Sequence, residues 1–439
     1  MTMKETLKQI LIDFHSEGFP SFHPRNLTVP RISQNVRKGF VFIGMRRCGK
    51  TYKMYQYAQS LVSAGIDITK IVYLNFEDDR LITFTHEHFQ CILDAYFELY
   101  PDNANDTSVV FILDEIHEID GWDKFIRRLL DKANYQILLS GSSSKLLSKE
   151  ISTTLRGRTM SIEVFPLTFE EHCDFTNTKL TNRPTSIQKS IIIHALHDYV
   201  LYGGFPERYY IEKPFFRNLL QGYIDVVIYR DIIERYNVKN PHLVREMLTY
   251  CLQNCTTSFN VLSLYKKFKS QGKSVSKNSL YEYMNYFEDA YCIYSIPQFA
   301  FSHHKRSINP KKIYTVDQGL ITAYSIKPQF EQSMRLENCV FAALRQKCEN
   351  LYYYKTRTNK EIDFVVDSGS IEPELYQVCY TLTDIDTAKR EISSLIDTMH
   401  ELNISTGTII TFDEEKSSAA LPVPENIRVV PLWKWLCSL

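Results

Sequence analysis

The 439-residue sequence has no excess of charge of either sign and no long apolar segment. Its 51 lysines and arginines balance 51 acidic residues, so no chain-wide positive field attracts nucleic acid, and such binding requires a local patch. No run of about 18 uninterrupted apolar residues occurs, so we expect no membrane-spanning helix. Charges recur every few positions in residues 1–20, which is not the pattern of a secretory signal peptide.

The ten cysteines include no C-x-x-C pair, so a zinc site is not expected. The closest two, Cys251 and Cys255, would lie one turn apart on a helix. Unpaired cysteines in a chain this long favour a reducing compartment, and we expect a cytoplasmic protein. With 44% hydrophobic and 23% charged residues the composition is globular, and the length predicts roughly three domains of ~100–200 residues.

The stretch GMRRCGKT fits the phosphate-loop pattern G-x-x-x-x-G-K-[ST]. An apolar run before it, Phe40 to Ile43, predicts a buried parallel strand, and TYKMYQYAQSLVSAG after it predicts a helix that ends at Gly65. Strand, loop and helix are the context that the pattern requires. The sequence therefore predicts that ATP binds to the loop residues Gly44, Met45, Arg46, Arg47, Cys48, Gly49, Lys50 and Thr51.

The residue types of this loop fit phosphate chemistry. Gly44 and Gly49 let the backbone wrap closely around a β-phosphate, and N–H groups at the helix start supply positive potential. We expect Lys50 to reach the β- and γ-phosphates and the Thr51 hydroxyl to ligate Mg²⁺. The two arginines of the loop either assist with the phosphates or are surface charges.

A second apolar run, Val109 to Leu113, predicts another buried strand and ends in the acid pair Asp114 and Glu115. An acid at the carboxyl end of such a strand faces the ligand crevice. We predict that Asp114 holds Mg²⁺ through water and that Glu115 is the catalytic base. The alternative for Glu115 is a solvated charge at a strand end. A further strand, Ile71 to Phe76, lies between the loop and the acid pair along the chain.

Six motifs between about residues 38 and 210 resemble those of bacterial and archaeal AAA-type ATPases that carry a C-terminal domain of unknown function. The motifs are GMRRCGKT, LNFEDDRL, LDEIHEI, LSGSSSKLLS, LRGRTMSIEVFPLTFEE and YGGFPE. The resemblance implies the additional-strand, catalytic-glutamate division of P-loop ATPases, ATP hydrolysis, and a C-terminal part similar to a PD-(D/E)xK nuclease. It implies little about cellular role.

The resemblance also points to residues that respond to the γ-phosphate. Ser140 or Ser142 follows the fourth strand, where AAA-type ATPases place the polar residue that senses this group. Arg156 and Arg158 precede a fifth strand and could neutralise transition-state charge within the subunit or from a neighbouring copy. The alternative is a surface turn with two solvated arginines.

The middle of the chain is predicted to be helical over 173–238 and to form a winged helix over 239–325. Residues 261–312 hold nine lysines and arginines against three acids, which indicates a local footprint for DNA or RNA. On the expected third helix, Lys277, Asn278 and Asn285 could contact bases. The acids Glu282, Glu288 and Asp289 oppose this function, because they would repel DNA. The alternative is that the region packs as a lid.

Residues 326–439 have the order helix, three strands, helix, strand that a PD-(D/E)xK nuclease requires. Glu337 and Asp363 stand where its first metal-binding acids are expected, but the third strand carries Gln377 and Cys379 in place of its Glu and Lys. Lys389 on the next helix could replace the missing lysine. Our interpretation is a nuclease-like fold that has lost or nearly lost cleavage and that binds nucleic acid or a protein. The alternative is a domain that serves only in dimerisation or docking.

The sequence thus predicts an α/β protein with a P-loop core containing a parallel sheet, a helical and winged-helix middle and an α/β nuclease-like end. The predicted segments are 1–37, 38–172, 173–238, 239–325 and 326–439. The predicted function is Mg²⁺-dependent ATP hydrolysis that drives domain rearrangement, with DNA or RNA as one candidate partner. The alternatives are an ATP-dependent nuclease and a slow-exchange switch that acts on a protein partner. An arginine acting in trans would require a homo-oligomer.

Overall fold

Five short strands in the first 164 residues form one parallel sheet. The computed structural model describes residues 2–26, 29–30, 38–104, 106–132, 135–141, 155, 157–300, 302, 309–327, 331–369 and 372–439. Its contacts divide the chain into two units, Met1–Val164 and Phe165–Leu439. The five-segment division expected from the sequence stays a prediction.

The first unit alternates strands and helices. Its elements are α1 Met3–Glu17, β1 Gly39–Ile43, α2 Lys50–Ser63, β2 Ile71–Asn75, α3 Phe89–Leu99, β3 Val110–Asp114, α4 Trp122–Lys132, β4 Gln136–Ser140 and β5 Thr159–Glu163. The strand order is β2-β3-β4-β1-β5, and every pairing is parallel. Strands β1 and β3 are buried along their whole length, which is why their sequences are continuously apolar. The α/β prediction for this unit is confirmed.

The sheet order places β4 between the loop strand β1 and the acid strand β3. The strand that lies between loop and acids along the chain, β2, is instead at the edge of the sheet. Consecutive strands pair in β2–β3 and β3–β4, whereas β1 pairs with β4 and β5, so sequence order did not give the position of the loop strand.

The middle part of the second unit is mainly helical. Its elements are α5 Phe169–Phe175, α6 Ser186–Tyr202, α7 Phe216–Val226, a π-helical continuation Val227–Glu234, α8 Pro241–Gln253, β6 Ser258–Phe259, α9 Val261–Ser270, α10 Lys277–Asp289, β7 Ile293–Ile296, β8 Lys311–Thr315 and α11 Gln318–Tyr324. Strands β6, β8 and β7 form a small antiparallel sheet. Helices α8, α9 and α10 and the β7–β8 pair lie in the segment for which the sequence predicts a winged helix. The third helix ends at Asp289, so Ile293–Ile296, which the sequence placed at the end of that helix, is instead the first strand of the pair. Residues 303–308, between β7 and β8, lie outside the described residues.

The C-terminal part has the predicted order of helix, three strands, helix and strand. Its elements are α12 Gln332–Lys347, β9 Leu351–Lys355, β10 Glu361–Val366, β11 Glu374–Val378, α13 Ile385–Leu402, β12 Gly407–Thr411, β13 Ile427–Pro431 and α14 Leu432–Leu436. The sheet order is β13-β12-β11-β10-β9, with β9, β10 and β11 antiparallel and β11, β12 and β13 parallel.

One apolar core joins the middle and C-terminal parts of the second unit. It contains Ile192 and Leu196 of α6, Val340 and Phe341 of α12, and Phe364 of β10, all buried. Burying such a side chain contributes roughly 1.5–3 kcal/mol, so this core is a main source of the unit's stability. Among the described helices, none is both long and apolar enough to span a membrane.

Asp317 links two loops of the second unit. Its carboxylate caps α11 by accepting from the N–H of Gly319, and it also accepts from the N–H of Gly204 at 2.7 Å. Gly203 has a φ of 74°, and a Cβ atom there would collide with the Asp317 carboxylate. The YGGFPE motif therefore needs glycine at this position because a buried acid packs against its backbone.

Burial raises the pKa of Asp317 from 3.8 to about 6, although hydrogen bonds from Gly204 and Gly319 oppose the shift. The folded state then binds a proton that the unfolded state has released between these pH values, so this group's contribution to stability falls as pH rises from 4 to 6. We expect the unfolding free energy of wild type, measured relative to Asp317→Asn, to fall by roughly 2–3 kcal/mol between pH 4 and pH 7. Denaturant unfolding at both pH values measures this difference, and an increase with pH would contradict it.

Candidate functional site

The loop between β1 and α2 has the backbone that the phosphate pattern requires. Gly44 has a φ of 137° and Gly49 a φ of 97°, values that side chains disfavour. A Cβ atom at Gly44 would collide with the carbonyl oxygen of Val164. Arg47 also has a positive φ, of 67°, so the loop turns sharply. The glycines are thus required by the loop's own geometry.

The ammonium group of Lys50 lies inside this loop. Its Nζ donates to the carbonyl oxygens of Gly44 at 3.1 Å and Met45 at 3.2 Å, and the side chain is buried. A buried ammonium encircled by backbone is suited to holding a phosphate group. The geometry fits the phosphate-binding role predicted for Lys50.

Asp114, at the carboxyl end of β3, is the centre of a hydrogen-bond network. The Thr51 hydroxyl donates to its Oδ2 at 2.8 Å, the Tyr73 hydroxyl donates to the same oxygen at 3.3 Å, and the Ser140 hydroxyl donates to Oδ1. Burial, followed by the nearby Glu115 charge, raises the pKa of Asp114, and the bonds from Ser140 and Thr51 oppose this. Thr51 and Asp114, the two predicted Mg²⁺ ligands, are therefore side by side.

Glu115 has a strained backbone that is held in place. Its φ of 51° lies in the left-handed region, and its N–H donates to the Ser140 hydroxyl at 3.0 Å. Its carboxylate Oε2 lies 3.2 Å from Nδ1 of His117, a buried side chain whose Nε2 lies 3.2 Å from Glu118 Oε1. Strain of this kind is concentrated at functional sites. Glu115 is therefore a positioned carboxylate rather than a freely solvated one.

Three further residues contact the phosphate loop or the acid pair without having been predicted. His117 is one, and its position two residues after Glu115 was the available signal. Tyr73 on β2 is the second, and burial raises the pKa of its hydroxyl, so it remains a donor to Asp114. The third is Arg25, whose Nη1 donates to the Cys48 carbonyl at 2.9 Å. No sequence pattern singles out Arg25, because it precedes the motif and acts through the backbone.

The structure separates the predicted arginines from the loop or pairs them with acids. Arg46 lies 3.2 Å from Glu77. Arg158 pairs with Asp131 at 2.9 Å and precedes the amino end of β5. The phosphate loop follows the carboxyl end of the neighbouring parallel strand β1, roughly 16 Å away at ~3.3 Å per residue. A role for Arg158 within its own subunit is thus not supported, since strand direction puts it at the wrong edge, and a role in trans stays a prediction.

Two predicted residues, Ser142 and Arg156, lie outside the described residues. Ser140, the other serine offered for the sensing role, is buried and contacts both acids of the pair, through the Asp114 carboxylate and the Glu115 N–H. The geometry favours Ser140 for that role.

The phosphate loop and the acid pair lie in a segment that is similar to a known protein family. Residues 36–173 match a family described as an AAA domain, and residues 193–329 and 333–435 match two domains of unknown function, DUF8612 and DUF4143. Over 424 residues the chain is 33% identical to the uncharacterized protein MJ1544 of Methanocaldococcus jannaschii, covering 94% of this chain and 90% of that protein. The chain belongs to the family of this archaeal protein. Its residues 36–173 form a P-loop domain of AAA type.

Two other similarities are weaker. An uncharacterized protein of Haemophilus influenzae is 28% identical over 329 residues, covering 74% of this chain and 78% of that protein. The Walker-type ATPase of Pyrococcus abyssi is a solved structure with 13% identity and a TM-score of 0.42, covering 74% of this chain and 96% of that chain.

A second cluster of polar residues lies in the C-terminal part of the AAA-type protein. Glu337 on α12 and Asp363 on β10, the two acids predicted from the nuclease pattern, lie 2.8 Å and 3.1 Å from the ammonium of Lys312. Burial alone would lower the pKa of Lys312, but the carboxylates around it, Glu337 first, hold it well above its usual value. Burial, and then the Asp363 charge, raise the pKa of Glu337. The two acids thus lie close together, as predicted. The lysine between them was not predicted.

The two residues that depart from the nuclease pattern, Gln377 and Cys379, lie inside the second unit. Gln377 accepts from the N–H of Asp363 and donates to Glu391 of α13. Cys379 is buried, and Lys389, suggested as a replacement for the missing lysine, is exposed on α13. The replacement by Lys389 is therefore wrong in this conformation, because the helix turns its neighbour Glu391 inward instead.

The basic patch of the middle part differs from the prediction. Lys312, counted in it, is buried, and 305–306 lie outside the described residues. Glu288 bonds with Ser295, and Asp289 accepts from the Tyr236 hydroxyl at 2.9 Å. The expectation that these two acids face solvent and repel DNA is corrected, since both are partly buried by neighbouring elements.

Proposed function

We propose that this AAA-type protein binds Mg²⁺-ATP at its phosphate loop and hydrolyses it. The observation that carries the proposal is the direct hydrogen bonding of Thr51, Asp114 and Ser140 immediately beside Glu115. Lys50 and the loop amides would hold the phosphates. Thr51 and Asp114 would hold Mg²⁺, which when bound supplies positive charge to the phosphate oxygens.

Glu115 takes the role of general base in this proposal. It accepts a proton from water as the water oxygen attacks the γ-phosphorus and the bond to the β,γ-bridging oxygen breaks. The neighbouring His117 ring, 3.2 Å from the carboxylate, limits the orientations that Glu115 can take. The Ser140 hydroxyl, which contacts both acids, would respond to the γ-phosphate. A fixed base is more effective than a mobile one because its geometry is established before reaction.

The nucleotide state is proposed to change the arrangement of the later segments. We assign a winged helix to α8, α9, α10 and the β7–β8 hairpin, and a nuclease-like fold to residues 326–439. Support comes from the order of their helices and strands, which follows the sequence expectation.

DNA or RNA is proposed as the partner of the middle part, on one specific observation. The ammonium groups of Lys269 and Lys277, on α9 and α10, lie 6.0 Å and 5.5 Å from the ring centre of Tyr265. Both lysines are exposed. Cations around an aromatic ring can bind a phosphate backbone and stack a base together. A protein partner is the alternative.

Phosphate release from the full chain with Mg²⁺-ATP tests the proposal. We expect steady turnover that stops when EDTA removes the metal, because Mg²⁺ neutralises the phosphates. Parallel reactions with duplex and single-stranded DNA, at low and moderate salt, test the partner. Stimulation that fades with salt is expected, since counterions compete for the phosphate contacts. Negligible turnover with tightly co-purifying ADP would contradict hydrolysis and favour the slow-exchange switch.

Charge reversal separates a specific patch from general attraction. Lys269→Glu with Lys277→Glu should abolish DNA stimulation and leave basal turnover unchanged. The matched control is Lys179→Glu with Lys189→Glu, two exposed lysines elsewhere in the second unit. Equal loss in both pairs, or stimulation that survives in the first, would argue against the Tyr265 site.

A further inference from the structure

The ammonium group of Lys312 lies at the centre of three carboxylates in the second unit. Its Nζ is 2.8 Å from Glu337 Oε1, 2.9 Å from Glu361 Oε1 and 3.1 Å from Asp363 Oδ1. The Lys312 side chain is 2% exposed, whereas those of the three acids are 15%, 33% and 10% exposed. The lysine therefore forms the floor of the cluster and the acids form its solvent side.

The members of the cluster come from separate elements. Lys312 belongs to β8 of the small antiparallel sheet, Glu337 to α12, and Glu361 and Asp363 to β10 of the C-terminal sheet. The lysine side chain thus connects the two sheets. The aliphatic stem of Lys312 is buried while its ammonium contacts three acids. The long side chain therefore links the two sheets, which a shorter cation could not do.

The two most buried acids are also hydrogen-bonded to other groups. The Tyr314 hydroxyl donates to Glu337 Oε1 at 2.7 Å, and the N–H of Val378 donates to Asp363 Oδ2 at 2.9 Å. These bonds fix the carboxylates in the orientation in which they converge on Lys312. Buried charges of one sign require a cation among them, because desolvation is otherwise uncompensated.

Acids that converge in this way can be neutralised by a metal ion or by an ammonium. Oxygen ligands lie about 2.0–2.6 Å from Mg²⁺ or Ca²⁺, so a divalent cation would need the volume that Nζ fills here. In the described part of the chain, no three His, Cys, Asp or Glu side chains are arranged to hold a metal ion. Lysine and metal are thus alternatives at this position.

We propose that Lys312 is the resident cation of this cluster and keeps divalent cations out of it. The cluster is then an ion centre that ties β8 to the C-terminal sheet, rather than a hydrolytic metal centre. This role is separate from nucleotide hydrolysis in the first unit. It is consistent with Gln377, whose amide accepts from the Asp363 N–H and donates to Glu391 and which adds no carboxylate to the cluster.

Manganese binding to the nucleotide-free full chain tests the proposal. Calorimetric titration measures the binding, and thermal unfolding measures its effect on stability. In Lys312→Met the aliphatic stem is kept and the ammonium is removed. We expect this variant to melt below wild type and to bind one Mn²⁺ per chain that restores its melting temperature. Lys312→Met combined with Asp363→Asn should lose that Mn²⁺. Wild type and the control Lys311→Met, which alters the exposed neighbour on β8, should not gain the site.

Three results would overturn the proposal. The first is Mn²⁺ binding to wild type that Asp363→Asn abolishes, because lysine and metal would then coexist. The second is a folded Lys312→Met variant that neither binds Mn²⁺ nor is stabilised by it. The third is Mg²⁺-dependent DNA nicking by wild type that is lost in Lys312→Met. If Lys312→Met does not fold, the comparison of wild type with Asp363→Asn still distinguishes exclusion from coexistence.

Discussion

Replacing Glu115 with glutamine is expected to lower steady-state phosphate release by ~10²–10⁴-fold while ATP continues to bind, which is the range for loss of a general base. Glutamine has the shape of glutamate but cannot accept the proton from water. The left-handed backbone at position 115 and its N–H bond to Ser140 do not depend on the carboxylate, so the site should stay assembled. Single-turnover hydrolysis and equilibrium ATP binding, measured on the same preparation, check the two halves of this result.

The control for this experiment is Glu118→Gln. Glu118 also contacts the His117 ring at 3.2 Å, but its side chain is 45% exposed, and it lies on the far nitrogen of that ring. We expect near wild-type turnover from this variant. If Glu115→Gln hydrolysed ATP at the wild-type rate, or if Glu118→Gln were the slower of the two, the assignment of the base would be wrong.

Replacing Lys50 with alanine is expected to weaken ATP binding by roughly 30-fold or more, corresponding to ~2–5 kcal/mol for removal of one buried partner of a charged pair. The ammonium lies inside the loop, within 3.2 Å of two backbone carbonyls. Its removal leaves the phosphates without their central cation. Isothermal titration with Mg²⁺-ATP measures the change in affinity.

Lys53→Ala is the matched control for the loss of a buried lysine. Lys53 lies on the same helix α2, is also buried, and its Nζ donates to a backbone carbonyl, that of Asn26, at 3.2 Å. Its removal should lower stability without lowering ATP affinity, because it does not line the loop. Equal weakening in both variants would show that helix integrity, and not the Lys50 charge, is responsible.

The two polar clusters of this protein both contain a buried carboxylate, but the groups that compensate its burial differ. In the first unit, the Asp114 carboxylate is met by hydroxyl groups of Thr51, Ser140 and Tyr73, which are weak enough to exchange for a metal ion. In the second, the Asp363 carboxylate is met by the full charge of Lys312. Hydroxyl partners therefore suit the proposed Mg²⁺-ATP site of the first unit, whereas the lysine suits a permanent contact.

The sequence predicted the first unit well because its signals are local. Strand β1 was expected at Phe40–Ile43 and observed at Gly39–Ile43, and β3 at Val109–Leu113 and observed at Val110–Asp114. Continuous apolar runs of this length are typical of strands buried on both faces. The placement of Asp114 at a strand end followed from the run that precedes it.

The sequence-based predictions were wrong for charged residues that could either face solvent or be enclosed by other elements. Glu288 and Asp289 were expected on an exposed helix face, but each bonds with another element, Ser295 on β7 and Tyr236 after the π-helical segment. Lys312 was expected in the basic patch and is buried. Charge counting treats every lysine as solvated, so it cannot detect one that long-range packing has enclosed.

By itself, the sequence determined the phosphate loop, the acid pair and the order of helices and strands, because glycine requirements and apolar periodicity act over a few neighbouring residues. The tertiary structure alone decided that Ser140 contacts both acids, that His117 lies against Glu115, and that Lys312 enters the C-terminal carboxylates. Lys312 and Asp363 are 51 positions apart. Contacts over such distances depend on how elements pack, which no local pattern in the chain encodes.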